Sequence, residues 1–99
     1  MPAYVVVHIQ VRDATRYEEY KRLAPESIRQ YGGRYLTRGG AIEVLEGGWT
    51  PKRLVILEFP TMERAREWWG SPEYAAPKAL RHAIAESTMV LLEGLERQP

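Results

Sequence analysis

The sequence contains no cysteine, which excludes disulfide bonds, thiolate nucleophiles and cysteine-ligated zinc. Histidine occurs only at positions 8 and 82, and neither lies in a metal-spacing motif. No stretch has the ~20 apolar residues that a membrane-spanning helix needs, and residues 1–11 lack the basic start and cleavage site of a signal peptide. We therefore expect no bound metal, no tightly bound cofactor, no membrane contact and a cytoplasmic location.

Charge of either sign shows no excess. Fourteen Lys and Arg residues oppose thirteen Asp and Glu residues, and the basic ones are scattered from Arg12 to Arg97. Such a distribution does not predict binding to nucleic acid. Asparagine is absent as well, and lysine is rare beside arginine. These biases fit a thermophilic source or a GC-rich genome equally well.

The chain length of 99 residues indicates one domain with a single core. We assign that domain to residues 1–95 and expect residues 96–99 to form a frayed tail. A chain of this size has little interior for a large cofactor, so a sizeable active cavity would need a second subunit.

Several segments have the composition of β-strands. We predict strands over residues 3–11, 34–37, 53–59 and 88–92, with extended structure resuming over 41–46 after a bulge or turn at Gly39-Gly40. The strands over 3–11 and 53–59 carry apolar residues on both alternating faces, which is typical of strands covered on both sides.

Helical periodicity fills the intervals between these strands. Asp13 is predicted to cap a first helix, which Pro25 should kink and Gly32-Gly33 should end. Thr61 and Ser71 are predicted to cap two later helical segments, the second of which Pro77 restarts and extends to about residue 86.

The resulting order, β-α-β-β-α-β, matches the ferredoxin-like split βαβ arrangement. We therefore predict an α+β fold with a four-stranded antiparallel sheet and its helices on one face. The other face would remain bare and rich in Val, Ile and Leu, which is too large an apolar patch for a stable monomer. A homodimer with the two sheets face to face follows from this pattern.

Short motifs occur in order along nearly the whole chain. They are Tyr20-Lys21, Ala24-Pro25, Tyr31-Gly32-Gly33-Arg34-Tyr35-Leu36, Arg38-Gly39-Gly40, Glu58-Phe59-Pro60, Ala65, Trp68 and Ser71-Pro72-Glu73-Tyr74. Together they resemble a bacterial domain-of-unknown-function family in the dimeric α/β-barrel superfamily. The resemblance implies a ferredoxin-like protomer and a sheet-to-sheet homodimer, and it implies no reaction. The monooxygenases and haem-degrading enzymes of that superfamily use an Asn with a Trp, and this chain has no Asn.

Two arginines are candidates for binding an acidic ligand. Arg34 and Arg38 lie at even spacing on one predicted strand, so both side chains share a face if the strand is regular. Paired guanidinium groups can hold a carboxylate or phosphate through two parallel hydrogen bonds. The alternative is ion pairing with Glu43, Glu46 or Glu58.

A second candidate is a catalytic pair formed by His8 and Glu58, which lie on the two central strands. A carboxylate that orients an imidazole makes a general base near neutral pH, and a carboxylate in an apolar strand is costly unless it is paired. The alternative is a structural hydrogen bond, or a salt bridge from Glu58 to Arg53 or Arg34.

Aromatic residues provide the third candidate site. The side chains of Tyr17, Tyr20, Tyr31, Trp68 and Tyr74 would line a pocket between helices and sheet, or would form ordinary core. Two functions therefore remain open. One is a protein that binds or converts a small organic acid or aromatic metabolite, with isomerase, lyase or oxygenase-like chemistry. The other is a non-catalytic dimeric structural or stress-related module.

Overall fold

One layer of helices covers one face of a four-stranded sheet in the computed structural model, which describes residues 1–96. The elements are β1 (Ala3–Val11), α1 (Ala14–Gln30), β2 (Arg34–Arg38), β3 (Leu54–Phe59), α2 (Met62–Trp69), α3 (Pro72–Ile84) and β4 (Ala85–Glu93). Most of the predicted tail at 96–99 lies outside the described residues. The molecule measures 42 × 38 × 16 Å, which is a thin slab.

The strands follow the order β2-β3-β1-β4, and every neighbouring pair is antiparallel. This order confirms the predicted α+β, ferredoxin-like fold. The central strands β1 and β3 pair with Val6 opposite Ile56 and His8 opposite Leu54.

Each helix begins at a side chain that satisfies an otherwise unpaired backbone N–H. Asp13 accepts from the amide of Arg16 at the start of α1. Thr61 and Ser71 do the same for α2 and α3, with donor–acceptor distances of 3.1 Å. The three predicted caps are confirmed. No helix in residues 1–96 is long and apolar enough to cross a membrane.

The strands alternate strictly between a covered and an open face. Most odd-numbered residues of β1 and β3 are buried because they lie under the helices, and Val5, Val7 and Leu57 among them are at most 3% exposed. Even-numbered residues face away from the helices. We call this second surface the open face; it includes Tyr4, Val6, His8, Leu54, Ile56, Glu58, Val90 and Leu92.

Aromatic packing holds the helix layer to the sheet. The ring of Trp68, on α2, lies 4.1 Å from that of Tyr74 on α3 and 5.3 Å from that of Phe59 on β3. Its indole N–H donates to Ser27 Oγ on α1 at 3.2 Å. One side chain therefore joins all three helices to the sheet.

Two details of the predicted secondary structure are wrong. Residues 41–46 form no strand, because β2 ends at Arg38 and the segment 39–53 crosses the surface without regular structure. Pro77 does not restart a helix but lies inside α3. Its missing amide costs one backbone bond, which the buried side of the helix offsets. Helix α1 likewise continues through Pro25.

Substitution of Gly33 by Ala should destabilise the fold by about 1–3 kcal/mol, because the added methyl group overpacks the core. A Cβ there would lie 2.6 Å from Cε1 of Phe59 and 2.8 Å from Cγ2 of Ile28, two side chains that are buried. Denaturant unfolding at a fixed protein concentration measures this loss. Gly48→Ala is the matched control, since nothing lies within 4 Å of a Cβ at Gly48. Equal stability of the two variants would contradict the packing described here.

Candidate functional site

A small cavity lies between α1 and the covered face of the sheet. Its volume is about 20 Å³, and tyrosines 17, 20 and 35 line it together with Trp68. We call it the tyrosine cavity. A space of this size admits one water-sized group and no aromatic ring. Tyr17, Tyr20 and Trp68 therefore line one cavity, which is far smaller than a pocket for an aromatic metabolite, and their role in ligand binding stays a prediction.

Three cationic side chains surround the outer end of this cavity, and we call them the cationic mouth. The Arg38 guanidinium carbon lies 4.7 Å from the ring centre of Tyr35, and that of Arg53 lies 5.3 Å from the ring centre of Tyr17. The Lys21 ammonium lies 5.9 Å from the Tyr17 ring centre. Stacking on electron-rich rings holds these cations in place.

Hydrogen bonds fix the cationic mouth further. Arg53 Nε donates to the phenol oxygen of Tyr17 at 3.0 Å, and Arg38 donates to the backbone carbonyl of Lys21 on α1. The Lys21 ammonium pairs with Glu18 at 3.0 Å. Across residues 1–96, neither Arg38 nor Arg53 has a carboxylate partner.

Outside the mouth lies an open, mostly polar groove of about 620 Å³, which we call the entrance groove. It meets the tyrosine cavity at Lys21 and Arg38, which line both. Arg22 and Arg53 add positive charge to its wall, and Glu18 and Glu19 add negative charge. The groove is the route by which a solute would reach the cavity.

The predicted clamp of Arg34 and Arg38 is wrong, because β2 is irregular. A bulge between Tyr35 and Thr37 shifts the register, so that Arg34 lies opposite Glu58 while Arg38 lies opposite Val55. The extra residue rotates the strand by one side-chain position. Arg34 therefore faces the open face and Arg38 the helices.

Arg34 instead forms an ion pair with Glu58 on the open face. Its Nε and Nη2 both donate to one carboxylate oxygen, at 2.8 and 2.7 Å. The Glu58 side chain is only 12% exposed, so the guanidinium compensates a nearly buried charge. This contact matches the structural alternative offered above for both residues.

His8 and Glu58 share the open face, yet they do not meet within one chain. His8 lies opposite Leu54, four residues along β3 from Glu58, which separates them by roughly 13 Å at the rise of a strand. His8 Nε2 accepts a hydrogen bond from the Lys52 amide at 2.9 Å, and its ring lies 5.6 Å from that of Trp49. The structure thus links His8 to the segment 39–53 and not to a carboxylate.

A buried polar row extends inward from the tyrosine cavity. The phenol oxygens of Tyr20 and Tyr74 lie 2.7 Å apart, and Arg81 Nε donates to the Tyr74 oxygen at 3.3 Å. Arg81, only 2% exposed, also donates to Ser87 on β4. Burial, together with the neighbouring Tyr74, raises the pKa of Tyr20 well above its ordinary value, so this phenol stays neutral. Tyr74 thus contacts the cavity wall through Tyr20.

Several residues of this site were not predicted from the sequence, among them Tyr35 on β2. Lys21 lies four residues after Tyr17 on a helix, a spacing that predicts contact between the two side chains. Arg81 continues the buried stripe of Tyr74 and Pro77, so its burial was readable from helical spacing. Arg53 gave no such signal, because its position depends on how β3 pairs.

A second, apolar cleft of about 300 Å³ lies between α2 and β4. Trp68 and Met89 separate it from the tyrosine cavity, and Arg66 is the one charged residue among its lining side chains in the described chain. A cleft without converging polar groups offers little orientation to a ligand. Within the same residues, no group of three His, Asp or Glu side chains could hold a metal ion.

Comparison with known structures supports the fold. RPA0582, a Rhodopseudomonas palustris protein of unknown function, aligns with a TM-score of 0.78 at 20% identity, covering 97% of this chain and 84% of its own. The cofactor-independent oxygenase SnoaB from Streptomyces nogalater aligns with a TM-score of 0.67 at 12% identity, covering 99% and 97%. A dimeric ferredoxin-like protein of unknown function from Bacteroides fragilis aligns with a TM-score of 0.56 at 14% identity, covering 94% and 96%. At these identities the likeness concerns the fold alone.

Sequence comparison gives the family. No curated protein matches the chain significantly. The profile of a family described as a domain of unknown function, DUF1330, matches residues 2–95, which is nearly the whole length. The chain belongs to the DUF1330 family of domains of unknown function.

Proposed function

We propose that the protein binds a small organic acid at the cationic mouth, with the carboxylate between Arg38 and Arg53. One observation carries this proposal: two guanidinium groups lie at the junction of the entrance groove and the tyrosine cavity, and no carboxylate in residues 1–96 pairs with either. Guanidinium groups in such a position favour a carboxylate ligand.

The size of the tyrosine cavity favours a small aliphatic acid over an aromatic one. Its volume of about 20 Å³ is far below the 300–1,000 Å³ of pockets that enclose drug-sized ligands. A short acid can leave its carboxylate and most of its chain in the entrance groove, where space is ample, and direct only one small group inward.

Arg38 is the group that would move on binding. It is exposed and donates to the backbone carbonyl of Lys21, so it spans the cavity opening from β2 to α1. A ligand carboxylate would replace that neutral carbonyl by a charged acceptor, which makes a hydrogen bond roughly twice as strong. Arg38 would therefore release the Lys21 carbonyl, which opens the cavity, and would bind the ligand carboxylate in the same step.

The lining of the tyrosine cavity favours binding over proton transfer. Among its described residues there is no carboxylate and no imidazole, and the nearest ionisable oxygens belong to tyrosines. His8 and Glu58, the predicted catalytic residues, lie on the opposite side of the sheet. We therefore assign the site a binding role.

Substitution of Arg38 or Arg53 by Gln should weaken the binding of pentanoate by about tenfold or more, since each substitution removes a hydrogen bond to a charged group. Isothermal titration calorimetry at low ionic strength measures the affinity. Arg29→Gln is the matched control, because Arg29 lies on α1 and pairs with Glu26. Equal affinity of all four proteins for pentanoate, or no binding by the unsubstituted protein, would refute the proposed site.

We also propose that the open face is covered by a second copy of this chain. The face carries Val6, Ile56, Val90 and Leu92, of which the last two are 59% and 57% exposed. In a slab 16 Å thick, this surface has no second layer to cover it. Apolar side chains that lie side by side on a flat sheet fit a second, identical sheet.

The segment 39–53 extends the same apolar surface. Its side chains include Leu45, which is 90% exposed, and Trp49, which is 59% exposed and contacts His8 on the open face. Exposed apolar side chains beside an apolar sheet increase the area that a second copy would bury.

Ile56→Lys should shift the protein from dimer to monomer, because it places a charge in the centre of the proposed interface. Sedimentation velocity over a range of protein concentrations determines the molar mass. Ala79→Lys, on an exposed position of α3, introduces the same charge away from the open face and should leave the dimer intact. A monomeric unsubstituted protein at micromolar concentration would overturn the proposal.

A further inference from the structure

The buried polar row contains more hydrogen-bond donors than acceptors. Arg81 Nε donates to Tyr74 and Nη1 to Ser87, whereas Nη2 has no partner among the described residues. A guanidinium that is 2% exposed and has no salt-bridge partner in residues 1–96 is costly to bury. Such groups in native proteins call for an explanation.

The two phenols add a second surplus donor. Their oxygens lie 2.7 Å apart, so one of the two phenolic protons is used between them. Arg81 already donates to the Tyr74 oxygen, and a hydroxyl that accepts one hydrogen bond is polarised to donate its own, which favours donation from Tyr74 to Tyr20. The Tyr20 proton is then free to be donated elsewhere.

Tyr20 is also the member of this row that lines the tyrosine cavity. The cavity volume of about 20 Å³ matches one oxygen-sized group. The residue that carries the spare proton therefore also bounds a space of the size of its acceptor.

We propose that the inner end of the tyrosine cavity is a subsite for one electron-rich oxygen of the bound acid, with Tyr20 as the donor and Arg81 as a positioning residue that acts through Tyr74. This inference rests on the proposed binding of an organic acid at the cationic mouth. It names the ligand class as oxo or hydroxy acids: the carboxylate contacts Arg38 and Arg53, and the second oxygen accepts from Tyr20.

The ionisation of Tyr20 agrees with this role. Burial raises the pKa of Tyr20, so the group retains its proton throughout the neutral range and acts as a donor and not as a base. The preference for a second ligand oxygen should accordingly be the same at pH 6 and pH 9.

The test compares three acids of equal chain length: pentanoate, 2-oxopentanoate and 4-oxopentanoate. Calorimetric titration of the unsubstituted protein should show that one of the oxo acids binds about 5- to 10-fold more tightly than pentanoate, which is the value of one hydrogen bond. Tyr20→Phe should abolish this preference, so that the three acids bind this variant with affinities equal within about twofold.

Further variants separate donation from a merely structural role. Tyr74→Phe should reduce the preference for the oxo acid, because Tyr20 loses the partner that orients it. Tyr31→Phe is the matched control, since that phenol donates to Glu73 on the surface and should leave all three affinities unchanged.

The possible outcomes distinguish a failure of the oxygen subsite from a failure of the acid binding on which it rests. Equal binding of all three acids to the unsubstituted protein overturns the oxygen subsite and leaves acid binding at Arg38 and Arg53 in place. Weakening of all three acids to the same degree in Tyr20→Phe also overturns the subsite, because it shows a structural effect. Binding of none of the acids overturns the proposed function and the subsite with it.

Discussion

The packing of Trp68 is the interaction on which the rest of the molecule depends. This indole, 1% exposed, contacts Tyr74 and Phe59 and donates to Ser27, so it fixes the three helices against the sheet at a single point. In a slab only 16 Å thick, the described core is a single layer between helices and sheet, and Trp68 lies within it. The tyrosine cavity and the apolar cleft on α2 are the spaces left on its two sides.

The two faces of the sheet consequently carry different kinds of side chain. The covered face carries the polar groups that are suited to a ligand, because α1 and α3 place tyrosines and arginines at its edge. The open face carries apolar side chains and the Arg34–Glu58 ion pair, which suit association. Separation of the two properties would let a small chain combine the proposed binding with the proposed self-association, since neither surface would have to serve both.

Local features of the sequence predicted most of the fold. The caps at Asp13, Thr61 and Ser71 and the alternation of β1 were readable because each depends on neighbouring residues alone. Of the aromatic residues named from the sequence, Tyr17, Tyr20 and Trp68 line one cavity, while their role in binding stays a prediction. Whether His8 meets Glu58 was not readable from the sequence, since the answer depends on strand register, which only the assembled sheet determines.

The segment 39–53 is a second case in which a sequence pattern did not determine the structure. Alternation of Ile42 and Val44 with polar neighbours satisfies the pattern of a strand, yet β2 has already ended and the segment pairs with no strand in residues 1–96. A periodic pattern indicates which side chains are shielded from water. It does not identify the strand, helix or molecule that covers them. Where that partner is another molecule, a pattern of this kind persists without the element it predicts.

The bulge in β2 gives the entrance groove an unusual dependence on strand regularity. Leu36 is the extra residue that turns Arg38 toward the helices, because a regular strand of the same length would place Arg38 on the same side as Arg34. Deletion of Leu36 would remove the bulge and still leave Arg38 opposite Val55, since the two arginines would then lie three positions apart. Among related chains, arginines four positions apart with a bulge and arginines three apart without one should therefore both keep the groove.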